Sequence, residues 1–251
     1  MTGGPQVPPA FFSELRGLLF DKDGTLFDFQ ASWGVWAQDV LAELAGDDPD
    51  LSMRLAETMR FDVDRARFHR DSVVIAGTGD EIAELIAPHL PDWPGGIEAL
   101  GAWLGARAAR APMIEATPLR PLLTCLGSAG FRLGVATNDY EAVARVHLAT
   151  DLSLFDFVAG ADSGHGAKPG PGMMLAFAAA TGLPPHQVLM VGDSLHDLQA
   201  GRSAGMRTLA VLTGVAEAQD LAPHADVICP DIGHLPRLLG LEPHESALAK
   251  P

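Results

Sequence analysis

The sequence predicts an α/β protein: a doubly wound, mainly parallel sheet with an all-helical subdomain inserted near its start. Three observations carry that prediction. Short apolar runs, each closed by a turn or polar residue, recur along the chain. Amphipathic helical patterns separate most of them. One long stretch, 28–111, shows helical patterns only and interrupts the alternation. Short continuous apolar runs suit strands buried on both faces, as in a parallel sheet.

Taken in order, Leu18-Leu19-Phe20 forms the first run and ends at Asp21. The run 131–136 ends at Thr137, and 157–159 leads into a Gly-rich stretch. The run 188–191 ends at Gly192-Asp193, and 206–212 ends at Thr213-Gly214. Helical periodicity over 119–129, 141–149, 172–181 and 195–204 fills the gaps, giving the strand–helix alternation of an open sheet. Within the inserted stretch the helical segments are 33–45, 51–59, 80–87 and 97–109, with no convincing strand. All four tryptophans, Trp33, Trp36, Trp93 and Trp103, fall there, and the Pro-bearing stretches 88–94 and 112–118 read as loops. The chain of 251 residues is longer than one average domain of about 100–200 residues and shorter than two, as a core with an insert should be.

Composition narrows the function. Hydrophobic residues make up 47% and charged residues 20%, enough to bury a sizeable core. With 17 basic against 32 acidic residues the net charge is −15, a field that repels nucleic acid and anionic membrane surfaces. An anionic substrate therefore needs positive potential supplied locally. Two cysteines, Cys125 and Cys229, make neither a disulfide framework nor a metal cluster, and a reducing compartment is the simplest reading. No apolar run approaches the roughly 20 residues that span a bilayer. Residues 1–9, Gly- and Pro-rich without a basic region, read as a frayed arm and not a secretory signal. A soluble cytoplasmic protein is the expectation.

In a doubly wound sheet, ligands bind beyond the carboxyl ends of the strands. The first strand delivers Asp21-Lys22-Asp23-Gly24-Thr25 to that edge and the second delivers Thr137-Asn138-Asp139. The Gly-rich loop after the third delivers Lys168-Pro169, and the fourth delivers Gly192-Asp193-Ser194 and then Asp197. Alone, each has a bland reading: Asp193-Ser194 as a helix cap, Lys168 as a surface lysine. Their joint order at successive strand ends is what singles them out.

Those four motifs together resemble the phosphatase branch of the haloacid dehalogenase superfamily, over essentially the whole chain from about Leu15 to Leu238. The resemblance implies a Rossmann-like catalytic core, 1–27 with 112–251, and a helical cap, 28–111. It implies a Mg²⁺-dependent phosphatase acting on a small phosphorylated metabolite through an aspartyl-phosphate. Asp21 is then the nucleophile, a carboxylate already ionised at neutral pH. Asp23 is the acid and base, and Mg²⁺ is held by the Asp21 carboxylate, the Asp23 carbonyl and the Asp193 carboxylate. Asp197 fixes Lys168 or a metal-bound water. Lys168, Thr137, Gly24 and Asn138 cradle the phosphoryl group, the last two through backbone amides, with Lys168 supplying fixed charge. Within the superfamily the whole chain is most similar to phosphoglycolate phosphatases, which makes 2-phosphoglycolate the first substrate to consider. A sugar-phosphate mutase on the same core, and a binding protein without catalysis, are the alternatives.

Lys22 departs from the apolar residue usual in the family after the nucleophile; Asp-Lys also opens the phosphorylation motif of ion-pumping ATPases, in which a Thr stands at the position of Asp23. His196 reads as an exposed first-turn helical residue. Asp139, Asp151 and Asp162 read as solvated or capping groups, and Asp28 as a hinge residue. The inserted stretch has no lysine, which disfavours Schiff-base chemistry, and its arginines Arg54, Arg60, Arg65, Arg67 and Arg70 read mostly as surface charges, with His69 beside them. Trp33 and Trp36 read as core of the insert rather than as a substrate stack.

Overall fold

The structure is a computed structural model and describes residues 10–241, so the arm expected at 1–9 lies outside the described residues. A short α1 (Ala10–Ser13) precedes β1 (Gly17–Phe20). The inserted stretch comes next, with α2 (Phe29–Ala45), α3 (Pro49–Thr58), β2 (Phe61–Asp62), β3 (Arg67–Phe68), α4 (Gly79–Ile86) and α5 (Gly96–Ala108). The chain then runs α6 (Leu119–Ser128), β4 (Arg132–Ala136), α7 (Glu141–His147), β5 (Phe157–Ala159), α8 (Gly172–Thr181) and β6 (Val188–Gly192). It ends with α9 (Leu195–Ser203), β7 (Arg207–Val211), α10 (Ala218–Leu221), β8 (Val227–Cys229) and α11 (Leu235–Leu238).

Six strands form one sheet in the order β5-β4-β1-β6-β7-β8, and every pairing is parallel. Residues along a strand alternate between faces. Leu18 and Phe20 therefore join Val135, Val191 and α6 in one apolar cluster, while Leu19 joins Met190 and Phe177 of α8 in another. Helices cover both faces, and the sheet is buried, as its apolar runs require. The sixth strand, β8, was not expected from the sequence. It is a three-residue edge run between Asp226 and Pro230, too short to give a pattern of its own.

The chain leaves β1 outward through β4 to β5, then returns to the other side of β1 for β6, β7 and β8. This places the reversal of strand order at β1. Phe20 pairs with both Val135 and Val191, so Asp21 emerges level with Ala136 and Gly192, one residue short of Thr137 and Asp193. Register thus brings three motif ends to one point.

The inserted stretch has its own apolar cluster, built on Trp33, Trp36, Leu55, Met59, Ile86 and Leu104. The hairpin β2–β3, two residues on each side, and a 3-10 turn at Val73–Ile75 are not expected from the sequence. A two-residue strand carries no periodicity to read. Asp28 caps α2, its side chain accepting from Ala31 N at 2.8 Å, while its own amide donates to Ile114 O where the chain leaves and re-enters the sheet region. Cys125 and Cys229 are unpaired. Among the described residues no helix is long and apolar enough to cross a membrane.

Candidate active site

Four strand ends and the loops after them build one cleft. Asp21 lies immediately after β1, buried, its amide bonded to Val191 O at 2.8 Å. Lys168, on the loop before α8, reaches it: Nζ donates to Asp21 Oδ1 at 2.5 Å and to Asp197 Oδ1 at 2.6 Å. The other oxygen of Asp197 accepts from Ser194 Oγ at 2.6 Å and Ser194 N at 3.0 Å. Ser194 caps α9 in return, its hydroxyl accepting from Asp197 N. Asp197 is therefore both the partner of the Ser194 cap and the anchor of Lys168. Carboxylate oxygens of Asp21, Asp193 and Asp197 all lie within 4.8 Å of one another.

Such crowding has an electrostatic consequence. Burial raises the pKa of Asp21 to about 7, with Lys168 opposing and the charges of Asp197 and Asp23 adding. Burial raises Asp193 well above the usual carboxylate range, with Asp21 and Asp197 adding. Burial works against the charge on Lys168 as well, but Asp197 and Asp21 outweigh it and hold the ammonium above its ordinary value. One ammonium does not balance three buried carboxylates. An all-oxygen cluster with that deficit fits a hard divalent cation such as Mg²⁺.

Gly24 enters the site through its missing side chain. Its φ is +89°, and a Cβ there would lie 2.4 Å from Asp193 Oδ2. Its amide donates to Phe27 O at 2.8 Å, which corrects the expectation that this amide joins a phosphate cradle: the turn already uses it. Thr137 is buried on the cleft wall, and its Oγ1 accepts from Asp139 N at 3.1 Å. Asn138 braces the cleft with its side chain. Oδ1 accepts from Lys168 N at 2.8 Å, and Nδ2 donates to Lys168 O at 3.0 Å and to Ala76 O of the insert at 2.8 Å.

Asp23 also lines the cleft. Its Oδ1 accepts from Lys22 Nζ at 2.7 Å and from Trp33 Nε1 at 2.8 Å. Lys22 has no exposed side-chain surface, and it also pairs with Asp139 Oδ2 at 3.3 Å and meets His147 Nδ1 at 3.0 Å. Burial disfavours its charge, but Asp23 and Asp139 more than compensate and raise its pKa. Asp139 is thus no solvated or merely capping group. It accepts from Tyr140 N, as a cap would, but it is nearly buried and pairs with Lys22; burial raises its pKa, with Lys22 opposing. Asp151 likewise is buried and paired with Arg120 at 3.0 Å, whereas Asp162 does cap α7, accepting from Glu141 N at 2.8 Å. His196 is half-buried and lines the cleft, contrary to the exposed position expected for it.

The insert forms the opposite wall of this cleft. Trp33 and Trp36 belong to the core of the insert, as expected, and also face the opening. None of the cap arginines lines it. Arg60 pairs with Asp71, Arg65 with Asp62, and Arg70 reaches Glu217, the N-cap of α10, and Asp220 in its first turn. Thr213 and Gly214, read from the sequence only as the end of an apolar run, belong to the site. Thr213 Oγ1 donates to Gly24 O at 2.6 Å, and a Cβ on Gly214 would lie 1.7 Å from Asp193 Oδ2. Only their place at the end of an apolar run pointed to them.

Comparison with known proteins agrees with this geometry. A family model described as haloacid dehalogenase-like hydrolase matches residues 15–205. A phosphoglycolate phosphatase from Nitrosospira multiformis is 28% identical over 230 residues, covering 90% of this chain and 96% of that protein. A phosphoglycolate phosphatase from Escherichia coli K12 is 27% identical, covering 95% of this chain and 98% of that protein. The crystal structure of a HAD phosphatase from Thermococcus onnurineus superposes with a TM-score of 0.63 at 23% identity, over 91% of this chain and 100% of that one. With most of its length matched by the family model and its motifs gathered at one sheet edge, the chain belongs to the haloacid dehalogenase-like hydrolases.

Proposed function

We propose that this chain is a Mg²⁺-dependent phosphatase that cleaves a small phosphorylated metabolite through an aspartyl-phosphate on Asp21. The observation that carries the reading is Lys168 Nζ held between Asp21 and Asp197, with Asp193 beside them, at the carboxyl edge of the sheet. We read 1–27 with 112–251 as the catalytic core and 28–111 as its cap, a division supported by the separate apolar cluster of the insert.

In this reading Asp21 attacks phosphorus, and the bond to the leaving oxygen breaks as Asp23 gives that oxygen a proton. Water then opens the acyl phosphate at phosphorus, Asp23 takes the proton back, and free phosphate leaves with Asp21 restored. Lys22 and Trp33 both donate to Oδ1 of Asp23, which leaves Oδ2 to exchange the proton. Lys168 places fixed positive charge beside the oxygens of the transferring group. Thr137 Oγ1 accepts from Asp139 N, which leaves its own hydrogen free to donate to a phosphoryl oxygen. Asp197, with both oxygens engaged, positions Lys168 rather than the metal. Asp21, Asp193 and the Asp23 carbonyl would hold Mg²⁺, which would supply countercharge to the nucleophile and the phosphoryl group.

The names of the two bacterial relatives make 2-phosphoglycolate the first ester to assay. Asp21→Asn is expected to lower phosphate release by at least about 10³-fold while circular dichroism stays unchanged. Full release from that variant removes Asp21 as nucleophile. Isomerised ester in place of free phosphate from the unaltered chain points to a mutase.

A further inference from the structure

The geometry points to a substrate whose leaving group is uncharged and largely apolar, aromatic or branched alkyl, rather than one bearing a second anion. This rests on the phosphatase reading above and names the substrate class for that site. The floor of the cleft carries the phosphate chemistry, and the facing wall is a different surface. Phe29, Trp33 and Trp36 of α2, Val74, Ile82 of α4 and Leu104 of α5 look into the same opening as Asp21 and Thr137. An anion pressed against such a wall gives up water and needs a cation to replace it.

Among the described residues, that cation is not there. Lys168 is shared between Asp21 and Asp197, and Lys22, buried against Trp33 and paired with Asp23 and Asp139, does not line the opening. Arg60, Arg65, Arg70 and Arg107 of the insert are tied to carboxylates elsewhere. Arg54, Arg67 and Arg110 are exposed, and none of these arginines lines the cleft. His196, the one other basic side chain on the lining, belongs to the first turn of α9 beside Ser194 and Asp197, with the phosphate machinery. Asp23 and Asp139 also line the cleft, and as carboxyl groups already paired with Lys22 they offer no positive charge to a second anion. An apolar group of the same size gains contact with the ring faces and meets no such penalty.

The test is phosphate release by the full chain with Mg²⁺ from three alkyl esters whose leaving alkoxides are of similar basicity: benzyl phosphate, isobutyl phosphate and 2-phosphoglycolate. The two apolar esters are expected to exceed 2-phosphoglycolate in kcat/KM by at least about tenfold. Equal or better turnover of 2-phosphoglycolate overturns the inference and leaves the phosphatase reading intact. No release from any ester overturns the phosphatase reading, and this inference with it. Ile82→Arg places a guanidinium on the half-buried part of the wall and is expected to narrow the ratio at least about fivefold, mainly by lowering KM for 2-phosphoglycolate. A folded Ile82→Arg chain with an unchanged ratio removes this wall as the leaving-group surface.

Discussion

A lysine without exposed surface needs countercharge, and Lys22 has it in Asp23 at 2.7 Å and Asp139 at 3.3 Å. Removing one member of a buried pair strands the other. Lys22→Met is therefore expected to cost about 3–5 kcal/mol in urea unfolding, and Lys22→Met with Asp139→Asn to recover part of that loss. A single-variant cost under about 1 kcal/mol, within the range of exposed ion pairs, means the pairing is not a stabilising one. His147 completes the group. Its Nε2 faces the carbonyl of Ala108 at 2.8 Å, which only accepts, so Nε2 carries the hydrogen and Nδ1 accepts from Lys22. Burial and the adjacent ammonium lower its pKa from 6.5 to about 4. Between those values the unfolded chain binds a proton that the folded chain refuses, so this residue weakens folding as pH falls from 6.5 toward 4. In His147→Gln the stability lost between about pH 7 and about pH 4.5 should be smaller by about 1–2 kcal/mol, allowing for partial exposure. An identical loss in both chains refutes the depressed value.

At the scale of elements, the loop after β7 shows how backbone shape serves the site. Thr213 ties this loop to Gly24, and Gly214 lets it close on Asp193 with no room for a side chain. Gly214→Ala is expected to cost about 1–3 kcal/mol and to lower kcat at least about tenfold, since the methyl must displace the Asp193 carboxylate. Gly127 is the matched control. It lies exposed on α6, and a Cβ there meets nothing within 4 Å. Gly127→Ala should leave activity alone and stabilise by about 0.5–1 kcal/mol. Thermal melts and steady-state rates on the two variants decide the matter; equal behaviour removes the loop from the site. Most helices and the first five sheet strands were legible because apolar periodicity or a continuous buried run marks them. The hairpin β2–β3 and the edge strand β8 were not, since two or three residues carry no period and only tertiary pairing makes them strands.

Across the whole molecule, the insert is joined to the sheet region by the two chain crossings and by side chains that bridge the cleft. Asp28 N donates to Ile114 O at 2.8 Å, Ile114 N donates to Ser32 Oγ at 3.0 Å, and Asn138 reaches Ala76 O. The strand ends these contacts frame hold carboxylates that repel one another in the absence of a counterion. A divalent cation binding the folded chain alone should stabilise it by about 2.7 kcal/mol at a hundredfold excess over Kd. For a chain of this length that corresponds to a Tm rise of roughly 5–10 °C. EDTA should reverse the rise and stop phosphate release, and Asp193→Asn should abolish the rise. A melting temperature indifferent to Mg²⁺ and EDTA speaks against a cation at Asp21 and Asp193.

The sequence by itself determined the parallel sheet, the place of the insert and the residues that arrive at the strand ends. Buried strands must be continuously apolar, and the residues just beyond them must be turn-forming or polar, so composition and order are enough. It did not determine what surrounds Lys22, that Asp139 and His196 face the cleft, or that the amide of Gly24 is spent on a turn. Nor did it show that the insert offers rings rather than arginines to the opening. Those depend on which side chains from distant segments share one dry space, where packing and charge compensation are decided by neighbours far apart along the chain.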